Sequence, residues 1–241
     1  MIDNIYGPLN EKQREGLERT LRAARHLLEL VNDVLDLSKI EAGKIELALQ
    51  SVNMPGLIDD LFVTVRPLAD ENGTKLTFEH SEEAIKIVTD PRRVRQILLN
   101  LLSNAIKFGQ EKPITVTCRR KEEGGISIAV TDRGEGISEE NRTRIFEEFV
   151  QVSPTQQMGT GLGLPISRRL ATLLDGSLKV ESTIGEGSTF TLELPAEAKP
   201  PEFESEETSP EKRAHDEAGR AGENRTGNQD ENDASKGVRV A

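Results

Sequence analysis

Gln96-Ile97-Leu98-Leu99-Asn100-Leu101-Leu102-Ser103-Asn104-Ala105-Ile106-Lys107-Phe108 reads as one helix with two faces. Ile97, Leu98, Leu101, Leu102 and Ala105 share a side at helical spacing, an apolar face suited to burial against a sheet. Gln96, Asn100, Asn104 and Lys107 share the other, at intervals of four, four and three. Asp90 and Pro91, an N-cap residue followed by a proline at the first helical position, set the start, so a helix is expected over 90–108. Amide oxygens are hard ligands for Mg²⁺, and a lysine neutralises phosphate charge. The polar row therefore has the chemistry that a magnesium triphosphate requires. A solvated helix face has the same composition, and the row alone leaves both readings open.

The flanking sequence alternates strands and helices. Upstream, Ile45–Val52 is expected as a strand and Met54–Glu71 as an amphipathic helix carrying an internal Pro67, with short strands near Lys75–Glu79 and Lys86–Val88. Downstream, Ile114–Arg120 and Ile126–Asp132 read as a hairpin turning at Glu122–Gly125. Glu139–Phe146 reads as a short helix and Gly161–Leu174 as a longer one, ending at Gly176. Ser177–Thr183 and Ser188–Leu194 form a last hairpin around Gly185–Gly187. This order predicts an α/β fold: one mixed sheet covered on one face by helices, a two-layer α/β sandwich.

A long helix is expected before it, from Asn10 to Gly43. Leu17, Leu21, Ala24, Leu28, Val31 and Leu35 form a heptad seam, and Leu27, Leu30, Val34 and Leu37 form a second beside it. Two adjacent seams are too wide for one helix partner and call for a bundle. The other helices of that bundle are expected from a second copy, another protein or residues upstream. From about Ala198 the chain is rich in Glu, Ser, Asn and Gly, with few large apolar residues. That composition buries too little surface to offset the entropy of ordering, and a disordered linker is expected over 198–241.

Composition narrows the function classes. Over 241 residues the formal charge is −11 and the hydrophobic fraction 35%. The negative charge argues against non-specific nucleic-acid binding and anionic membrane surfaces. No apolar run has the length of a membrane span, so the chain is expected to be soluble and cytoplasmic, with any membrane anchor of a longer parent lying upstream. A single cysteine, Cys118, excludes an internal disulfide, and the strand around it makes it a core residue. His26, His80 and His215 have no metal-ligand spacing.

Two further motifs flank the polar helix. Asp132-Arg133-Gly134-Glu135-Gly136 follows a strand; its carboxylate can accept from an amine while the glycines admit a flat ligand. An ordinary strand-to-helix turn also favours Asp and Gly. Gly159-Thr160-Gly161-Leu162-Gly163 opens a helix, where backbone N–H groups point at an anion, although a plain flexible loop has the same glycines. The polar stretch Glu147–Met158, containing Pro154, is a candidate nucleotide lid.

Taken in order, these segments resemble the sensor histidine kinases of two-component systems, whose catalytic fold is shared with DNA gyrase, Hsp90 and MutL. Gln96–Phe108 resembles the family's N box, Asp132–Ile137 its G1 box, Ile145–Phe149 its F box and Gly159–Leu164 its G2 box. Arg25–Gly43 resembles the second helix of the dimerisation and phosphotransfer hairpin. The likeness runs over about residues 5 to 195. It implies three regions: a partial phosphotransfer helix at 1–44, an ATP-binding catalytic domain at 45–197, and the tail. It implies ATP and Mg²⁺ as cofactors, with Asn104 a metal ligand assisted by Asn100, and Lys107 on phosphate. Asp132 would take the adenine amine, with Gly134 and Gly136 admitting the base. Phe146 and Phe149 would anchor the lid, and Gly159, Thr160, Gly161, Leu162 and Gly163 would wrap the phosphates. The partners implied are a phosphoacceptor histidine hairpin, in trans or upstream, the receiver domain of a response regulator, and a second copy through 10–43.

The family's acceptor histidine lies in an H-E-x-R-T-P-like box, which none of the three histidines matches. His26 sits on the second hairpin helix and His80 ends a strand. His215-Asp216 has a suitable acid neighbour but lies in the tail. The acceptor is thus expected outside this chain, and self-phosphorylation by the chain alone is not expected. Two other functions stay open at this level. One is a nucleotide-dependent interaction module that regulates a kinase without transfer. The other is an ATP hydrolase, which is disfavoured because the gyrase-type relatives carry a catalytic glutamate where this chain has Asn100.

Overall fold

The computed structural model describes residues 9–80, 85–122, 124–152 and 159–199. The expected tail beyond 199, with His215, and positions 153–158 of the candidate lid lie outside the described residues.

Helix α1 (Glu11–Glu41) starts at a capping box: the Gln13 N–H donates to Asn10 Oδ1 at 2.9 Å, and the Asn10 N–H donates to Gln13 Oε1 at 3.0 Å. Two orphan donors of the first turn are thereby satisfied reciprocally. Gly43, at φ +62°, follows the C-terminus, where a residue in the left-handed region ends a helix at little steric cost. Leu17, Leu21, Leu27, Leu28, Val31, Val34 and Leu35 are exposed along α1. Leu37 differs: although it belongs to the second seam, it is buried in the core of the following domain, with Ile40 packed beside it. The C-terminal end of α1 is therefore docked, while most of the rest of its apolar stripe is exposed.

The next elements are β1 (Gln50–Asn53), α2 (Met54–Glu71), β2 (Leu76–His80), β3 (Lys86–Thr89), α3 (Pro91–Phe108), β4 (Ile114–Arg120), β5 (Ile126–Thr131), α4 (Glu139–Arg144), α5 (Gly163–Leu173), β6 (Ser177–Thr183) and β7 (Gly187–Leu194). Five strands form a mixed sheet in the order β2-β4-β5-β7-β6, parallel only between β2 and β4. Ile114, Val116 and Cys118 of β4, Ile126, Ile128 and Val130 of β5, and Phe190, Leu192 and Leu194 of β7 alternate into the core. They meet Ile97, Leu98, Leu101, Leu102 and Ala105 of α3, as the apolar face of that helix predicts. The architecture is the expected two-layer α/β sandwich.

Two details differ from expectation. The strands make two sheets, because β1 and β3 pair separately as an antiparallel ribbon. The strand predicted over Ile45–Val52 shrinks to Gln50–Asn53. Upstream of it the Ala48 N–H donates to Asp90 Oδ2 at 3.0 Å, so that backbone is satisfied by a side chain instead of a ladder. Asp90, almost wholly buried, also caps α3 through its other oxygen, accepting from the N–H groups of Arg92 and Arg93. At the far end, Ala198 is buried and its N–H donates to the carbonyl of Val88, so the described chain finishes against β3.

Candidate functional site

The polar face of α3 looks across to the start of α5, and the two helices pack together. Asn100 Nδ2 donates to the buried Ser167 hydroxyl of α5 at 2.8 Å, and Asn104 Nδ2 donates to Asn100 Oδ1 at 3.4 Å. Asn104 Oδ1 accepts nothing among the described residues, which leaves a hard oxygen donor available beside the loop. A Cβ on Gly163 would overlap Asn100 Oδ1, so glycine is what lets α5 begin this close to α3. Lys107 lies one turn further on; its Nζ is 3.5 Å from where a Cβ of Gly159 would stand. It also sits 4.9 Å from the centre of the Phe108 ring.

The amide row divides. Gln96 does not face the loop: its Nε2 donates to Asp36 Oδ2 of α1 at 2.8 Å, and its Oε1 accepts from Arg93. Only Asn100, Asn104 and Lys107 remain toward the glycine loop. Helical periodicity placed all four on one face but had no means of knowing that α1 covers one end of it.

Asp132 ends β5 and is only 6% exposed. Its backbone N–H donates to the Ser188 carbonyl of β7, and Oδ1 accepts from the Gly134 N–H at 2.8 Å. Burial pushes its carboxyl above the ordinary value; the backbone hydrogen bonds oppose this and nearby Glu135 adds to it. A carboxylate offers more acceptor positions than the Gly134 N–H occupies, so this buried group can also take an N–H or NH₂ donor. A Cβ on Gly134 would overlap the Phe108 carbonyl at the end of α3, and Gly136 lies under the backbone of Thr183 and Ile184. The two glycines thus bring the loop after β5 against α3 on one side and the β6–β7 turn on the other.

The two phenylalanines behave differently. Phe146 is half-buried against the core, with the Arg168 guanidinium 5.0 Å above its ring. Phe149 is 62% exposed at φ +61°, a costly conformation for a bulky residue. Its N–H donates to the Gly161 carbonyl at 3.1 Å, and Gln151 Nε2 donates to the Gly159 carbonyl at 2.7 Å. Gly161, at φ +71°, lies so near Phe149 that a Cβ would stand 2.9 Å from its backbone. The segment entering the candidate lid is thus stapled to the first and middle glycines of the loop.

Helix α5 starts at Gly163, two residues later than predicted, because Gly161 and Leu162 remain in the loop. Leu162 is fully buried, and its N–H donates to the Thr160 hydroxyl at 3.1 Å. That hydroxyl donates in turn to Asp33 Oδ2 of α1 at 2.8 Å. Ser167 and Asp33 are the contributors that local motifs did not reveal. A polar residue four positions after Gly163 was the only available sign of Ser167, and nothing local pointed to Asp33.

The site suits the groups implied for it. Asn104 Oδ1 and Asn100 are oxygen donors of the type Mg²⁺ takes in company with phosphate oxygens and water, so no cage of acids is required. Among the described residues no cluster of three His, Cys, Asp or Glu forms one.

Two family profiles match the chain: "Histidine kinase-, DNA gyrase B-, and HSP90-like ATPase" over residues 89–198, and "His Kinase A (phospho-acceptor) domain" over residues 1–43. The chain is 41% identical to the Non-motile and phage-resistance protein of Caulobacter vibrioides over 205 residues, 81% of this chain and 24% of the relative. It is 40% identical to the Circadian input-output histidine kinase CikA of Synechococcus elongatus over 196 residues, 79% of this chain and 26% of that protein. The chain therefore spans about a quarter of the length of these relatives. Among solved structures, full-length ShkA in complex with AMPPNP superposes with a TM-score of 0.70 at 34% identity, over 80% of this chain and 41% of ShkA. The catalytic domain of the histidine kinase ThkA superposes with a TM-score of 0.57 at 27% identity, covering 64% of this chain and 97% of that domain.

Proposed function

Because this chain belongs to the sensor histidine kinases, we propose that it binds Mg·ATP between α3 and the Gly159–Gly163 loop. From there it passes the γ-phosphate to a histidine on a phosphoacceptor hairpin. The observation that carries this reading is the convergence of Lys107, an Asn104 oxygen that accepts nothing among the described residues, and the glycine loop on one side of α3, with a buried carboxylate at Asp132. Asp132 Oδ2 accepts from the adenine amine. Gly134 and Gly136 keep the backbone low enough for the base to enter. Asn104 with Asn100 holds Mg²⁺, which when bound neutralises charge on the phosphate oxygens. Lys107 and the loop N–H groups of Thr160 to Gly163 hold the phosphates. Phe146 roots the lid stem. Phosphoryl transfer needs mainly alignment and charge neutralisation, which these groups supply without a protein nucleophile. Hydrolysis is disfavoured because Asn100, tied to Ser167, is no base.

The bare stripe of α1 supports pairing with a second copy through residues 10–43, forming the bundle that presents the acceptor and meets a receiver domain. No helix among the described residues is long and apolar enough to cross a membrane.

The reading is tested by incubating the chain with γ-labelled ATP and Mg²⁺, alone and with a separately made phosphoacceptor hairpin. Acid-labile label on the hairpin, and none on the chain alone, is the expected result. ATP binding without any transfer would favour a regulatory nucleotide module instead. Asn104→Ala is expected to abolish nucleotide binding, and full retention would overturn the site assignment.

A further inference from the structure

The docked end of α1 meets the candidate site along a single face. Asp33, Asp36, Leu37, Ile40 and Glu41 recur at helical spacing and share it. Leu37 and Ile40 provide the apolar contact. Each acid has its partner on an element of the site. Asp33 accepts from the Thr160 hydroxyl in the glycine loop, and Asp36 from Gln96, one turn before Asn100 on α3. Glu41 pairs with Arg169 of α5 at 2.8 Å, and the same guanidinium reaches Glu148, beside Phe149, at 2.7 Å.

The Thr160 hydroxyl has a double task. It donates to Asp33 and accepts from the Leu162 N–H. An N–H at the start of α5 is what an incoming phosphate oxygen would seek, and here it is taken by a hydroxyl that Asp33 holds in place. A phosphate that claims this N–H displaces the hydroxyl and loosens its bond to α1. The charges act in the same direction. Asp33 brings a carboxylate to the loop where a polyanion must settle, and Asp36 adds a second negative charge close to it. Burial already pushes the Asp33 carboxyl above its ordinary value, with the Thr160 hydrogen bond opposing and Asp36 adding to the rise.

We propose that Asp33 is a positioning residue of the glycine loop, acting through the Thr160 hydroxyl, and that α1 and the nucleotide triphosphate compete for that loop. This rests on the nucleotide reading of the site. Binding of Mg·ATP then undocks the end of α1, and docking of α1 weakens nucleotide binding by the same factor, as linkage requires.

The experiment uses the whole chain. Affinity for a fluorescent ATP analogue with Mg²⁺ is compared between the parent and Asp33→Ala, with thermal melts to verify folding. Asp33→Ala is expected to bind about fivefold or more tightly, within the usual range of coupling, and Asp33→Asn to fall between. A variant that binds equally well or less well overturns the proposal, since a loop that merely needs support from Asp33 would lose affinity. A second measurement introduces Asp33→Cys with Thr160→Cys and follows disulfide formation under copper phenanthroline; Cys118 is buried and does not compete. Crosslinking is expected without nucleotide, and saturating Mg·ATP is expected to slow it several-fold. Failure to crosslink, or a rate indifferent to Mg·ATP, overturns the proposal alone. If the parent chain binds no Mg·ATP, the reading of the site falls and this proposal falls with it.

Discussion

Helices α1 and α3 are written in nearly the same language and meet opposite fates. Both repeat leucines at threes and fours and both begin at a well-formed N-cap. Leu101 of α3 is 1% exposed, whereas Leu28 of α1 is 62% exposed. The sheet that α3 requires is built from the same chain, while the neighbours that most of α1 requires are not among the described residues. Periodicity thus states that a face must be covered but does not name the cover. Where α1 does find a cover, at Leu37, it docks beside the glycine loop and brings a row of acids with it.

The sharpest way to break this contrast is to cut one leucine from each helix. Leu101→Ala is expected to destabilise the folded domain by about 2–5 kcal/mol, from lost transfer energy and the cavity left behind. Chemical denaturation checks this, and an effect below about 1 kcal/mol would mean that the α3 face is not packed as described. Removing the charge of the buried Asp132 is expected to act on function and stability in opposite directions. Asp132→Asn is expected to weaken Mg·ATP binding by about 10- to 100-fold, the worth of a hydrogen bond to a charged group. Because the folded carboxyl titrates above its unfolded value near 3.8, the folded state holds that proton to higher pH. The contribution of the protonated form is complete below the unfolded value and is lost as pH rises through the folded one. Asparagine, neutral throughout, loses nothing, so the Tm of Asp132→Asn is expected to exceed that of the parent increasingly from pH 3.5 upward and then level off. A gap that closes with rising pH would contradict the burial of that charge. The smallest effect is expected at Leu28→Ala, less than about 0.5 kcal/mol in the dilute chain. Its signature belongs in sedimentation at high concentration, where self-association through α1 should weaken; unchanged association would remove Leu28 from the pairing face.

Legibility followed the range of each signal. The start of α3 was readable because Asp90 and Pro91 act on the next three residues. The β4–β5 and β6–β7 hairpins were readable because their glycine turns and alternation are local. The predicted strand at Ile45–Val52 was not, since its alternation says nothing of the Asp90 side chain that satisfies Ala48. The separation of β1 and β3 into their own ribbon also depends on pairing across some thirty residues. Within the site, Asn100, Asn104, Lys107, Asp132 and the glycines could be nominated from motif and spacing. Gln96 was grouped with them because a helix face looks uniform until something docks on part of it.

The sequence by itself determined the layers, the helix ends, the two polar motifs and their order, since these rest on periodicity, capping and backbone freedom within a few residues. Only the tertiary structure decided which polar groups meet across the chain. It set Asn100 on Ser167, Gln96 on Asp36 and Thr160 on Asp33, pairs separated by 60 or more positions. The physical reason is that a side chain's hydrogen-bonding capacity is written in its identity, while its partner is chosen by whichever buried surface brings another polar group within about 3 Å.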